Sequence, residues 1–168
     1  SMQKAARFLL EKHAGALPPD HDALLALPGI GPYTAAAIAS IAFGLDYAVV
    51  DGNVKRVLAR LLNYSNPVNT PEAEAELRGI ARGLLPPGSA GEFNQAMMDL
   101  GAVICTPRNP ACARCPLAAI CSAYQADLQS SLPVKKVKPP IPHYMVTPGT
   151  LMNEPQVLIN KRPACSQQ

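Results

Sequence analysis

Four cysteines within seventeen residues constrain this chain more than anything else in it: Cys105, Cys112, Cys115 and Cys121, in CTPRNPACARCPLAAIC. Their spacing is C-x6-C-x2-C-x5-C, so one compact loop must gather four thiols. A zinc ribbon usually brings two C-x2-C pairs from separate knuckles, and only one such pair is present. The single loop suits a cubane iron–sulfur cluster, whose four corners each take one sulfur. Zinc stands second, and disulfides or free thiols last. Pro107, Pro110 and Pro116 stiffen the loop and lower the entropy cost of gathering its ligands. A fifth cysteine, Cys165, stands alone near the end and reads as an unbonded surface thiol.

A chain of 168 residues holds one domain with a real core, or one domain plus a fragment. With 48% hydrophobic and 16% charged residues it has the composition of a soluble globular protein. No apolar run reaches the roughly 18–20 residues needed to span a bilayer, so no membrane partner is expected. No basic-then-apolar export signal opens the chain, and Ser1-Met2 reads as a tag scar. A reducing, intracellular setting is expected, which disfavours structural disulfides. The formal charge of +3 permits a nucleic-acid partner without demanding one.

The first two-thirds of the chain reads as helices. Ala6, Leu9, Leu10 and His13 share one face of a first helix, with His13 at its boundary. Asp22 is expected to cap a short helix, DALLAL. A tight turn, LPGIG, leads into TAAAIASIAFG, a small-residue helix that Gly44 ends. In DGNVKRVLARLL, Val54, Val57, Leu58, Leu61 and Leu62 form one apolar stripe behind Asp51. Thr70 caps a helix with Pro71 at its first position, burying Leu77, Ile80, Ala81 and Leu84. Phe93, Met97, Leu100 and Ile104 line the helix that runs into Cys105. After about Ala126 the composition turns to proline and lysine, and residues 127–142 read as an extended linker. Residues 143–168 predict two short strands around Asn153-Glu154-Pro155.

LPGIG places Gly29 and Gly31 around one apolar residue between two helices. Glycine allows a sharp turn and a close backbone approach. N–H groups at the next helix start can then converge on an anion, and a DNA phosphate is the natural candidate. Such a contact positions a duplex without reading its sequence. The plainer alternative is an ordinary helix–helix turn.

Taken together, LPGIGPYTAAAIASIAFG, VVDGNVKRVLARL and the four-cysteine loop resemble the helix-hairpin-helix DNA glycosylases of the 4Fe–4S branch. That branch includes endonuclease III and the MutY-type adenine glycosylases. DGNV and FNQAMMDLGA are similar to the MutY type. The resemblance covers about residues 3 to 126. It implies an all-α, two-lobed fold, with domain 1–126 incomplete at its N-terminus and a cluster loop at 105–121. It implies a short C-terminal β-hairpin remnant at 143–168, the start of a Nudix-like domain. It implies a 4Fe–4S cofactor and, as partner, double-stranded DNA with adenine opposite 8-oxoguanine or guanine, handled by a monomer. The expected location is cytoplasmic in a bacterium and nuclear or mitochondrial in a eukaryote.

Carried onto matching positions, the resemblance makes Asp51 the catalytic aspartate and Asn53 the residue that orients it or the incoming water. A carboxylate beneath the sugar stabilises the oxocarbenium-like state as the base leaves. The plainer roles of these residues are an N-cap and a local turn bond. Endonuclease III carries a lysine where Tyr33 stands. A tyrosine cannot form a Schiff base, so hydrolytic, monofunctional base excision without strand cleavage through this position is expected. The adenine must leave the stack to reach such a site. Lys55, Arg108 and Arg114 are candidate phosphate contacts, and Lys55 has a solvated-face alternative. The acid that protonates adenine in this family is a glutamate of an earlier helix. Glu11, in LLEKH, does not match its motif, so the chain alone is expected to be inactive or nearly so. Two alternatives stand beside this reading: a non-catalytic DNA-binding fragment, and an endonuclease III-like glycosylase/lyase.

Overall fold

The computed structural model describes residues 2–137 and the backbone of two short strands near the C-terminus. The chain divides into two compact units, Ser1–Lys136 and Val137–Gln168. In the second, β1 (Leu151–Asn153) and β2 (Gln156–Leu158) pair antiparallel, Leu151 facing Leu158. The rest of the predicted Nudix-like start, and Cys165, lie outside the described residues.

The regular elements among the described residues of the first unit are helices: α1 (Met2–Lys12), α2 (His21–Leu25), α3 (Pro32–Phe43), α4 (Gly52–Leu61), α5 (Pro71–Leu84), α6 (Ala90–Asp99) and α7 (Ser122–Gln125). Two apolar clusters make its core. Leu24, Leu27, Ala35 and Ala39 form one, with Phe8, Leu9, Ile30, Ile38 and Leu45 packed around them. Val54, Val57, Leu58, Ala59, Val68, Leu77, Ala81 and Met97 form the other. Helices α3 and α6 cross between them at backbone distance. A Cβ on Gly91 would lie 2.7 Å from the Ser40 carbonyl oxygen, so α6 can sit this close only with glycine there.

The helix ends follow local chemistry. Thr70 accepts from Ala73 N–H at 3.2 Å to cap α5, with Pro71 at its first position. Gly44 ends α3 in the left-handed region, at φ 65°. The cap of α2 is Asp20, which accepts from Ala23 N–H at 2.8 Å, and not Asp22. Asp20 stands just outside the helix with extended backbone, whereas Asp22 is already inside the first turn.

Three readings of buried faces change. Leu10 is 69% exposed, because α1 turns Phe8 and Leu9 inward instead. Leu62 and Leu84 are also exposed, each at the frayed end of its helix. On α4 the buried side includes Arg56 and Arg60 beside the expected valines and leucine. Helix α6 gives way at Leu100–Ile104 to a π-helical turn, closed by Cys105 N–H to Leu100 O at 2.7 Å. Residues 127–136, within the predicted linker, pack back on the first unit. Leu132 is buried, Val68 N–H donates to Val134 O, and the Asn69 amide exchanges two bonds with Lys136. Backbone groups on the 68–69 loop need partners, and this stretch supplies them.

Candidate active site and cluster loop

Asp51 ends an extended segment and opens α4. Its carboxylate accepts from Val54 N–H at 2.7 Å and from the Asn53 amide at 3.2 Å. The cap and the candidate catalytic group are therefore the same atoms. Asn53 in turn accepts from Arg56 at 2.8 Å. Arg56 also donates to the carbonyls of Gly101 (2.6 Å) and Cys105 (2.7 Å), the second being the first cysteine of the loop. Burial lowers the basicity of Arg56 from its ordinary value. The neighbouring Cys105 and Asp51 oppose that shift, and Arg60 adds to it. A guanidinium stays charged under such shifts.

Arg60, one turn further on α4, is 2% exposed and clasps the loop itself. It donates to Thr106 O at 2.7 Å, to Leu132 O at 3.0 Å and to the Cys105 sulfur at 3.3 Å. Neither arginine was singled out from the sequence. The signal was there: Asn53, Arg56 and Arg60 repeat at helical spacing along a helix whose inner face is otherwise apolar. Gly101 completes the arrangement. A Cβ on it would lie 2.7 Å from Asn53 Cβ, so the π-helical turn can press on Asn53 only as glycine.

The four cysteines are free thiols that line one small cavity with Arg60, Ile104 and Tyr124. Two short 3-10 turns, Cys112–Arg114 and Ala118–Ile120, bend the loop around it. Among the described residues, no three His, Cys, Asp or Glu side chains converge closely enough to hold a single ion. Four thiols around a shared cavity, with an arginine donor to one sulfur, fit a cluster that takes one sulfur per iron. Burial, then the neighbouring Cys105 and Cys121, push the Cys112 thiol up, with Arg60 opposing. When bound, the iron supplies the positive charge that lets four partly buried thiolates sit together.

The remaining predicted residues are placed as follows. Gly29 has φ 87°, the left-handed turn the hairpin needs, and Gly31 opens α3 with no side-chain cap. Tyr33 is 46% exposed on the first turn of α3, its hydroxyl on the Met98 sulfur at 3.8 Å. That contact joins it to α6 rather than to Asp51. Lys55 donates to Glu74 at 2.9 Å and lines a cleft of about 460 Å³ with Gly52, Asn69 and Lys135. The Glu74 carboxyl is held below its ordinary range, mainly by that bond. Arg108 and Arg114 are exposed on the loop, and Glu11 is exposed on α1. Asp51, Asn53 and the cluster loop are thus linked through Arg56, while Tyr33, Lys55 and the two loop arginines stand apart.

Comparison with known proteins fits both halves of this arrangement. The family model for the helix-hairpin-helix motif matches residues 12–41, and that for the iron–sulfur binding domain of endonuclease III matches residues 105–121. An endonuclease III–DNA complex superposes with a TM-score of 0.64 at 29% identity, over 76% of this chain and 58% of that one. A thermostable thymine-DNA glycosylase superposes with a TM-score of 0.67 at 36% identity, over 74% of this chain and 57% of that one. In its hairpin, helical scaffold and cysteine loop the chain is thus similar to the helix-hairpin-helix DNA glycosylases with an endonuclease III-type iron–sulfur domain. Within that class it is similar to human adenine DNA glycosylase, 44% identical over 132 residues. That match covers 78% of this chain and 24% of the human protein, so the chain spans about a quarter of that relative's length.

Proposed function

We propose that this chain is the hairpin and iron–sulfur part of a monofunctional glycosylase that hydrolytically removes adenine mispaired with 8-oxoguanine or guanine, in base excision repair. The observation that carries the reading is the Asp51–Asn53 pair. One backbone N–H and one amide aim a carboxylate at the head of α4, and Arg56 holds that amide in turn. As the adenine–sugar bond breaks, positive charge grows on the sugar. A carboxylate already oriented there stabilises it without reorganising. The likeness to adenine DNA glycosylases supports adenine as the base. Tyr33 offers no amine, and the Lys55 amine is engaged with Glu74, which supports excision without strand cleavage. Gly29 and Gly31 supply backbone contacts to the duplex, and Arg108 and Arg114 add charge along it.

The test uses the chain in excess over duplexes carrying A opposite 8-oxoguanine, A opposite G, or an oxidised pyrimidine. The expected result is binding to the first two and slow adenine release confined to a single turnover. Asp51→Asn should abolish that release. Incision at the oxidised pyrimidine, with a borohydride-trapped complex dependent on residue 33, would overturn the reading in favour of a glycosylase/lyase. Tight duplex binding with no release by the wild-type chain would reduce it to a non-catalytic DNA-binding module.

A further inference from the structure

The segment Leu45–Val50, which has no regular secondary structure, joins the two core clusters and delivers Asp51 to its place. On its outer side the exposed Asp46 carboxylate accepts from Gly88 N–H at 3.0 Å, and the Tyr47 ring stacks on His21 at 4.2 Å. Its inner side is held by Asn94 of α6, a polar side chain only 2% exposed. Asn94 accepts from Val49 N–H at 3.1 Å and donates to Tyr47 O at 2.8 Å. Its other amide hydrogen goes to the Ser40 hydroxyl at 2.9 Å, and Ser40 donates to Ala36 O at 2.8 Å. One amide thus ties α6, α3 and the approach to Asp51 together with every hydrogen used.

A buried polar group this fully engaged fixes one arrangement, because any shift leaves a donor or acceptor unpaired in the interior. The backbone it grips ends two residues before Asp51. The same helix carries Met98 against Tyr33 and leads into Gly101 against Asn53. We propose that Asn94 is the positioning residue for Asp51: it sets the height and direction from which the carboxylate enters the site, without touching substrate. The proposal rests on the reading of Asp51 as the catalytic carboxylate, and its test keeps the two apart.

The experiment compares the wild-type chain, Asn94→Ala, and Leu24→Ala as a core control in the other apolar cluster, which holds neither Val50 nor Val54. Each is checked for iron content and melting temperature. Amide hydrogen exchange is followed at Val49 and at Val54, whose N–H is bonded to the Asp51 carboxylate, together with the carboxyl carbon shift of Asp51. In Asn94→Ala, exchange at Val49 should rise about tenfold or more, since its partner is gone. Positioning requires the change to reach Asp51: faster exchange at Val54, a moved carboxyl signal, and single-turnover adenine release lowered about tenfold or more with DNA affinity kept. Leu24→Ala, at equal loss of melting temperature, should leave the Asp51 signals in place.

Deprotection confined to Val49, with Val54 and the Asp51 signal unchanged, would overturn the proposal. Should Asn94→Ala fail to load iron, Ser40→Ala removes one of the three partners and should shift the same signals in the same direction by less; no shift overturns it equally. Absence of adenine release from the wild-type chain bears on the functional reading alone, since the Asp51 and Val54 signals do not need activity.

Discussion

The hairpin region and the cluster region of this protein are built on opposite principles. Around α2 and α3 the buried residues are leucines and alanines with one serine, Ser40, and the useful surface is backbone: Gly29 at positive φ and an uncapped helix start at Gly31. Around α4, α6 and the loop, the interior holds two arginines whose charges are spent on carbonyls and a sulfur. The first region needs only close packing of small side chains. The second leaves many backbone acceptors stranded when four thiols are drawn together, and answers them with guanidinium donors. Small residues therefore suffice where backbone must reach outward, and buried charge is used where a loop must be held inward.

The sharpest way to break that contrast is to remove a sulfur. Cys112→Ser should abolish cluster loading, read as iron and sulfide per chain, and loosen the loop and α4. Amides within α3 should stay protected from exchange. Loss of protection in both regions together would show that the hairpin depends on the metal lobe. Next in size is Arg60→Leu, which strands the acceptors of Thr106, Pro107 and Leu132. Urea unfolding should show a loss of about 3 kcal/mol or more. Gly101→Ala forces its new methyl onto Asn53, and a loss of about 1–3 kcal/mol is expected from such overpacking.

Asp51→Asn sharpens the comparison from the other side. Asparagine caps a helix about as well as aspartate, so stability should change by no more than about 0.5 kcal/mol. Adenine release should vanish, separating the cap from the chemistry in one variant. The smallest effect belongs to Glu74→Gln. Lys55 holds the Glu74 carboxyl below its ordinary range, so its contribution is full above the unfolded carboxylate range. It fades as pH falls through the lowered value. Unfolding free energies of wild type and variant, from urea titrations, should differ by less than about 1 kcal/mol at neutral pH and converge in acid.

Much of the site was legible because its signals are local. A C-x2-C pair flanked by two more cysteines, a glycine turn before a proline-started helix and an aspartate before a helix each carry their reason within a few residues. What escaped was carried by contacts between distant positions. Arg56 and Arg60 were not singled out, because their acceptors at Gly101, Cys105, Thr106 and Leu132 lie 45 to 72 residues further along the chain. Asn94 lies in the quoted FNQAMMDLGA, but nothing in that stretch marked it as buried, since an asparagine on a helix is ordinarily a surface residue. Lys55 was read as a phosphate contact, and only the packing of α5 on α4 brings Glu74 to it.

The sequence by itself therefore determined the helices, the hairpin turn, the grouping of four cysteines and the aspartate at the head of α4. Each follows from steric or hydrogen-bonding preferences of neighbours in the chain. The tertiary structure alone decided how the aspartate is aimed and how the loop is held. Those depend on which donors meet which stranded acceptors in the interior, and that pairing does not exist until α3, α4 and α6 have packed.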